Sequence, residues 1–296
     1  MTHKRTLSIA TASTLALLLV LGGVAQAQTT RLVKDIVPNA GSSNPKHLTA
    51  YEGRVFFNAW TPATGMELWK SDGTKAGTRM VRDIWPGASD SNPSNLLAVD
   101  GVLYFTADSP SHGRELWRTK GTKASTWRVK DIWPGAGGSH PEALTKVGKR
   151  FFFSASHPTK GQELFVSDGK KTGTKLVKDI WVGTGSASPK HLTAYKGQVF
   201  FNAWTPATGM ELWKSDGTKA GTRMVRDIWP GASDGNPRNL LAVDGVLYFA
   251  ADSPSHGREL WRTKGTKAST WRVKDIWPGA GASHPEALTK VGKRFF

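Results

Sequence analysis

The chain has 296 residues, no cysteine, and 40 Lys and Arg against 23 Asp and Glu, for a formal net charge of +17. The missing cysteine excludes disulfides and a thiol nucleophile, so stability must come from packing. The basic excess favours polyanionic partners, although a high net charge also keeps an exported protein soluble.

The first 27 residues have the composition of a signal peptide. Lys4 and Arg5 form a basic start, an apolar run peaks over residues 15–21, and Ala25-Gln26-Ala27 fits a cleavage site. We therefore expect a secreted or cell-envelope protein, cleaved near Ala27, with no transmembrane span in the mature chain. The alternative is an uncleaved anchor over residues 6–24, which could just span a bilayer.

A step of 48 residues organises the rest of the chain. The segment from Gly65 to Gly87 returns unchanged from Gly209 to Gly231. The Glu-Leu-aromatic centres of the repeat start at Glu67, Glu115, Glu163, Glu211 and Glu259. A longer step of 144 residues relates 46–152 to 190–296 with few differences. A constant period of this size is typical of repeat architectures.

Each unit predicts four short strands. In the first unit these cover residues 48–51, 54–60, 66–71 and 78–84. Their Val, Phe, Trp, Leu and Ile content favours strands, and no helical period of useful length is present. Gly-containing pairs such as Glu52-Gly53 suit tight hairpin turns, and Trp-Pro-Gly ends the unit.

Four strands in about 40 to 50 residues match one propeller blade. We predict an all-β fold, a β-propeller of 48-residue four-stranded blades, as one domain over residues 28–296 with five complete repeats and a partial unit at each end. Residues 31–36 would supply a lone outer strand and 287–296 a first hairpin. Together they would form a sixth blade without its Glu-Leu-Trp strand; otherwise the chain is a fragment of a larger array. A linear solenoid or bead-like array is the competing architecture.

The Ser-Asp-Gly-Thr turn is the first candidate for chemistry, because its oxygens could bind calcium. However, Lys120 and Lys264 replace Asp72 and Asp216 in the second and fifth units. We therefore expect no metal and no other cofactor, and interpret the aspartate as a cap that hydrogen-bonds the turn backbone.

The repeated acids do not mark one active site. Glycosidases need one pair of carboxylates, whereas Glu67 and Asp83 recur in successive units. We expect these acids to pair with cations such as Lys70, Arg79 and Arg82. No metalloprotease helix motif or nucleophile elbow occurs, so no catalytic residue is predicted.

Tryptophans at the ends of the units are the candidate binding residues. They follow the repeated Asp-Ile pair at Trp85, Trp133, Trp181, Trp229 and Trp277, with Trp60 and Trp204 as further candidates. Beside Lys and Arg, such rings could stack on sugars or on single-stranded nucleic acid, of which we favour the sugar. The alternative is that each tryptophan wedges between two blades.

The segment Glu-Leu-Trp-Lys-Ser-Asp-Gly-Thr at 67–74 resembles the ELWxxDGT tandem repeat of exported bacterial surface proteins, often labelled hyalin-like. The similarity is good in units one, three and four and weaker where lysine replaces aspartate. It implies an extracellular or envelope-associated repeat protein, and it brings no catalytic residues with it.

These observations favour an exported, non-enzymatic repeat protein that presents a multivalent surface for glycans or anionic polymers. A polysaccharide hydrolase or lyase is the alternative, and it would require residues such as His112, His157, His256 and Trp60 to converge in a central channel. A purely structural surface-layer component is the third hypothesis.

Overall fold

The structure, a computed structural model, describes residues 30–39, 41–292 and 294–295. The folded unit spans Val33–Phe296. The predicted signal segment, residues 1–27, lies outside the described residues. No helix in the described ranges is long and apolar enough to cross a membrane.

Five four-stranded antiparallel sheets follow one another along the chain, each with its strands in sequence order. Sheet 1 contains β1 Lys46–Tyr51, β2 Arg54–Thr61, β3 Gly65–Ser71 and β4 Arg79–Arg82. Sheet 2 contains β5 Ser94–Val99, β6 Val102–Ser109, β7 Gly113–Thr119 and β8 Trp127–Lys130. Sheet 3 contains β9 Glu142–Val147, β10 Arg150–His157, β11 Gly161–Ser167 and β12 Lys175–Lys178.

The last two sheets repeat the same plan. Sheet 4 contains β13 Lys190–Tyr195, β14 Gln198–Thr205, β15 Gly209–Ser215 and β16 Arg223–Arg226. Sheet 5 contains β17 Arg238–Val243, β18 Val246–Ser253, β19 Gly257–Thr263 and β20 Trp271–Lys274. A two-stranded hairpin of β21 Lys290–Val291 and β22 Arg294–Phe295 follows. Single 3-10 turns occur at Lys123–Ser125 and Lys267–Ser269.

Local turn chemistry sets the register of the strands. Glu52 and Gly53 have φ values of 48° and 68°, so β1 and β2 are joined by a two-residue turn with both central residues in the left-handed region, as predicted. The first strand of sheet 1 carries a bulge between Lys46 and Thr49, where His47 has a φ of 56°. His47 therefore lies within β1.

The hydrophobic core lies between successive sheets. Leu68 and Ile84 of sheet 1 pack against Leu103 and Phe105 of sheet 2, and equivalent clusters follow at the next three junctions. A fully buried phenylalanine contributes about 2 kcal/mol relative to an exposed one. The first strands of neighbouring sheets contact each other: β1 with β5, β5 with β9, β9 with β13, and β13 with β17. Sheets packed in this way are the blades of a β-propeller, which confirms the predicted fold class. Six-blade closure stays a prediction.

The partial units behave differently at the two ends. The predicted hairpin near residue 290 is confirmed as β21 and β22. The predicted outer strand over 31–36 is wrong, because those residues form no strand. They do occupy an outer-strand position: Lys34 Nζ donates to Thr78 O at 2.7 Å, as Lys130 Nζ does to Thr174 O. A strand needs a partner strand to form a ladder, and no strand among the described residues pairs with this segment.

Candidate functional site

The repeated glutamate fastens the loop that leaves each sheet. Glu67 is fully buried, and its carboxylate accepts hydrogen bonds from Ile84 N at 3.1 Å, Trp85 N at 3.2 Å and Ser91 Oγ at 2.6 Å. The expectation that this glutamate pairs with Lys70 or the nearby arginines is wrong. Instead, the backbone N–H groups of the loop point inward and donate hydrogen bonds to the carboxylate oxygens of Glu67.

The nearby cations bind the following sheet. Lys70 Nζ donates to Gly121 O at 2.6 Å, and Arg82 Nη1 donates to Thr126 O at 2.5 Å. Asp179 does pair with a cation, Lys160 Nζ at 2.9 Å, but Lys160 is not one of the repeated cations named in the expectation. The charged groups of the repeat therefore serve mainly to connect strands and sheets.

Burial dominates the electrostatics of these glutamates. It raises the pKa of Glu67, Glu163 and Glu211 to about 7, although the hydrogen bonds to each carboxylate oppose the rise. The same group recurs in all five sheets with its oxygens occupied by loop donors. This arrangement indicates a structural role.

The Ser-Asp-Gly-Thr turn is held by the predicted caps. Asp72 Oδ1 accepts hydrogen bonds from Thr74 N at 3.0 Å and from Thr74 Oγ1 at 2.7 Å. Where Lys120 replaces the aspartate, Ser125 Oγ accepts from Lys120 N and Thr122 N at 3.1 Å each. Among the described residues there is no group of three or more His, Cys, Asp or Glu side chains placed to hold a metal ion.

The predicted tryptophans are not equally exposed. Trp85, Trp133, Trp181, Trp229, Trp60 and Trp204 are half-buried, whereas 63% of Trp277 is exposed. A Cβ built on Gly137 would lie 2.3 Å from Trp133 Nε1, so the ring lies directly over this loop glycine. The structure brings together Trp181 and Trp204, whose ring centroids are 4.4 Å apart. Trp181 also packs against the core between sheets 3 and 4. The rings thus combine packing with partial exposure, and their binding role stays a prediction.

A groove of about 230 Å³ at the junction of sheets 1 and 2 was not predicted from the sequence. Its lining combines two cations of β4 and β8 with aromatic rings and loop side chains. The principal lining residues are Arg82, Ser109, His112, Trp117, Trp127 and Arg128. We call this the Trp127 groove. Aromatic and guanidinium groups side by side suit a ligand that has both an apolar face and a negative charge.

A cation contacts the ring of Trp127, one of the two tryptophans that line this groove. Arg118 Cζ lies 4.8 Å from the centroid of the Trp127 ring, which favours a cation–π contact. The ring nevertheless remains 45% exposed. A large, restrained and exposed aromatic surface is a typical platform for stacking.

Several polar atoms of the groove lack partners within the described part of the chain. Ser109 is only 6% exposed, and its Oγ has no hydrogen-bond partner. Arg128 Nη1 is also without a hydrogen bond, and it lies 3.6 Å from Asp131 Oδ1. Buried polar groups are normally paired, but both atoms are shielded from solvent, so they belong to the wall of the groove and are not open to a ligand.

A second set of the same residues recurs 144 positions later, at the junction of sheets 4 and 5. It consists of Arg226, Ser253, His256, Trp261, Trp271 and Arg272. The geometry is reproduced: Arg262 Cζ lies 4.8 Å from the Trp271 ring, which is 43% exposed. Ser253 Oγ and Arg272 Nη1 again have no hydrogen-bond partner among the described residues. We call this the Trp271 groove.

The sequence does hold a signal for the two grooves. The Trp127–Arg128 pair is Arg79–Met80 in sheet 1, Lys175–Leu176 in sheet 3 and Arg223–Met224 in sheet 4. His112 is likewise replaced in those three sheets. These positions break the 48-residue period and keep the 144-residue period.

The histidines of the grooves do not complete a catalytic triad in the observed geometry. His112 Nε2 lies 3.9 Å from Asp131 Oδ2, and His256 Nε2 lies 3.8 Å from Asp275 Oδ2. A base held by its orienting acid needs about 2.6 to 3.2 Å between the heavy atoms. These contacts are longer, and they give weak support to a hydrolase.

The fold and this site define the class of protein, a repeat-built β-propeller with a groove whose residue set occurs twice. No protein-family model and no curated protein matches the sequence. Solved structures are similar at low identity. The computationally designed Ika8 protein aligns over 82% of this chain and 66% of its own length, with 14% identity and a TM-score of 0.45.

Two natural proteins show a comparable similarity. The β-propeller domain of the Trilobed protease from Pyrococcus furiosus aligns over 80% of this chain and 71% of its own, with 11% identity and a TM-score of 0.46. A puromycin-hydrolysing peptidase from Mycobacterium tuberculosis aligns over 85% of this chain and 42% of its own, with 12% identity and a TM-score of 0.47. The chain therefore spans less than half of that peptidase, and peptidase activity is a property of those proteins.

Proposed function

We propose that this protein is an exported, non-enzymatic β-propeller that binds glycans or other anionic polymers of a cell surface or matrix at several places. The observation that carries the proposal is the Trp127 groove, whose residue set is duplicated and pairs an exposed tryptophan with guanidinium groups. The formal charge of +17 supports it, because a basic surface raises the local concentration of polyanions.

Repetition favours a polymeric ligand. Two grooves of modest individual affinity give a strong combined affinity when one chain of ligand reaches both. The row of half-buried tryptophans, including Trp85 and Trp229, would add contacts between them. Resemblance to the ELWxxDGT repeat and the composition of residues 1–27 support export, which N-terminal sequencing of secreted protein would test.

A glycan array at low and high salt tests the binding function. We expect binding to acidic glycans, partly resistant to salt, because stacking is not screened while exposed charge pairs are. Trp127→Ala with Trp271→Ala should weaken this binding, and Trp85→Ala with Trp229→Ala reports on the tryptophan row.

The array also separates the alternative functions. Absence of binding to every acidic glycan would refute the proposal and leave a purely structural role. Shortening of an arrayed polysaccharide during incubation would identify a hydrolase or lyase instead.

A further inference from the structure

We propose that each groove binds one acidic sugar, a pyranose carrying a carboxylate, with the sugar ring on the tryptophan and the carboxylate between the arginines. This inference rests on the proposed function and names the ligand class of the same site. It assigns two such sugars to each chain, one in the Trp127 groove and one in the Trp271 groove.

The donors of the groove are suited to a carboxylate. Arg82 uses Nη1 on Thr126 O, and a guanidinium has further N–H groups to offer. Arg128 also lines the groove, and because its Nη1 is buried, a ligand would use the other N–H groups of its guanidinium. A planar carboxylate can accept two parallel bonds from an arginine, which makes it a better match than a neutral hydroxyl.

The nearest acidic group forms only a long ion pair with Arg128. Asp131 is the nearest, at 3.6 Å from Arg128 Nη1, and its own Oδ1 has no hydrogen bond. The distance exceeds that of a normal charge-assisted bond. A ligand carboxylate could therefore be bound by Arg128 without first breaking a short ion pair.

The size and shape of the groove fit a single ring. Its volume of about 230 Å³ lies below the range of pockets that enclose drug-sized molecules. Trp127 is 45% exposed, and Arg118 contacts its ring. One sugar can lie on the exposed part of this side chain while the rest of a polymer continues in solvent.

Other sheets of the same chain supply a matched control. Sheets 1 and 4 carry Arg and Met where sheets 2 and 5 carry Trp and Arg, so Trp127→Arg with Arg128→Met converts the groove to a pair that the fold already accommodates. The double substitution leaves the net charge unchanged. A loss of binding would then come from the groove and not from the overall charge.

Isothermal titration with an oligosaccharide of hexuronic acid tests the inference on the full chain. We expect two sites in the native protein, one after the Trp127→Arg, Arg128→Met swap, and none when Trp271→Arg and Arg272→Met are added. The same oligosaccharide with its carboxyl groups reduced to alcohols should bind at least tenfold more weakly. Circular dichroism checks the fold of each variant.

A second variant keeps the test decisive if the swap fails to fold. Arg128→Lys with Arg272→Lys preserves charge and removes the planar fork, so we expect at least tenfold weaker binding. Two undiminished sites in the four-residue swap, or equal binding of the reduced oligosaccharide, would overturn the inference. If the array still shows polymer binding in that case, the proposed function survives; if the array is also negative, both fail.

Discussion

Removing Glu115 should destabilise the protein much more than removing Glu259, although the two lie in almost identical sequences. Glu115 accepts hydrogen bonds from Trp133 N at 3.0 Å, Ser139 N at 3.2 Å and Ser139 Oγ at 2.6 Å. Ser139 is fully buried. Each buried donor left without an acceptor costs about 1 to 3 kcal/mol, so we expect Glu115→Ala to lower the free energy of unfolding by about 3 to 5 kcal/mol.

Glu259 is itself fully buried and makes similar contacts, but the loop that it holds is more exposed. It accepts from Ile276 N at 3.1 Å and from Ser283 Oγ at 2.7 Å. However, Ile276 is 53% exposed, whereas its counterpart Ile132 is 3% exposed. Water can replace the lost acceptor at an exposed loop, so we expect Glu259→Ala to cost about 1 kcal/mol.

Urea denaturation followed by tryptophan fluorescence measures both variants against the native protein. The midpoint should fall clearly for Glu115→Ala and only slightly for Glu259→Ala, with similar slopes. Equal losses would show that the cost comes from the side chain itself and would refute the reasoning from buried loop donors.

Two further predictions concern pH and backbone strain. Burial raises the pKa of Glu163 to about 7, above its value in the unfolded chain, so its contribution to stability is present at low pH and is lost as pH rises through about 7. The stability deficit of Glu163→Gln should therefore shrink by about 3 kcal/mol between pH 4.5 and 8 in urea titrations, and a constant deficit would contradict the shift. Gly65→Ala should lower the free energy of unfolding by about 3 kcal/mol, because its Cβ would lie 2.3 Å from Ser89 O. Gly53 also has a positive φ but lies in open space, so Gly53→Ala should cost about 1 kcal/mol in the same assay. Similar costs at the two glycines would refute the steric argument.

The strands could be predicted because their determinants are local. Glu52-Gly53 and Asp100-Gly101 specify tight turns, and the apolar runs beside them can only form strands of limited length. The error over 31–36 has a non-local cause. Its sequence matches an outer strand, but an outer strand forms only against a third strand of its own sheet.

The glutamate contacts could not be read from the sequence. Charge pairing was the natural expectation for Glu67 among so many cations. The loop after β4 instead turns its N–H groups inward, and these groups have no other acceptor. Backbone donors in a loop are invisible to an argument that considers side chains alone.

The Trp127 groove was missed for a related reason. Arg82 comes from one sheet, and Trp127 and Arg128 come from the next, so only sheet packing brings them together. The comparison of repeats contains the signal, because these positions of sheet 2 keep the 144-residue period and lose the 48-residue period. The tryptophans that recur in every unit lie at positions that also serve the scaffold.

The two periods therefore separate two roles. Residues that recur every 48 positions, such as the glutamate at Glu67, fasten each sheet to its loop and serve every blade alike. Residues that recur every 144 positions build the Trp127 groove, from sheets 1 and 2, and its counterpart, from sheets 4 and 5, so that in chain order only sheet 3 lies between the copies. A short oligosaccharide can then fill only one groove, and only a polymer long enough to pass the intervening sheet can gain from both. If the grooves bind as proposed, affinity should depend on ligand length as well as on ligand charge.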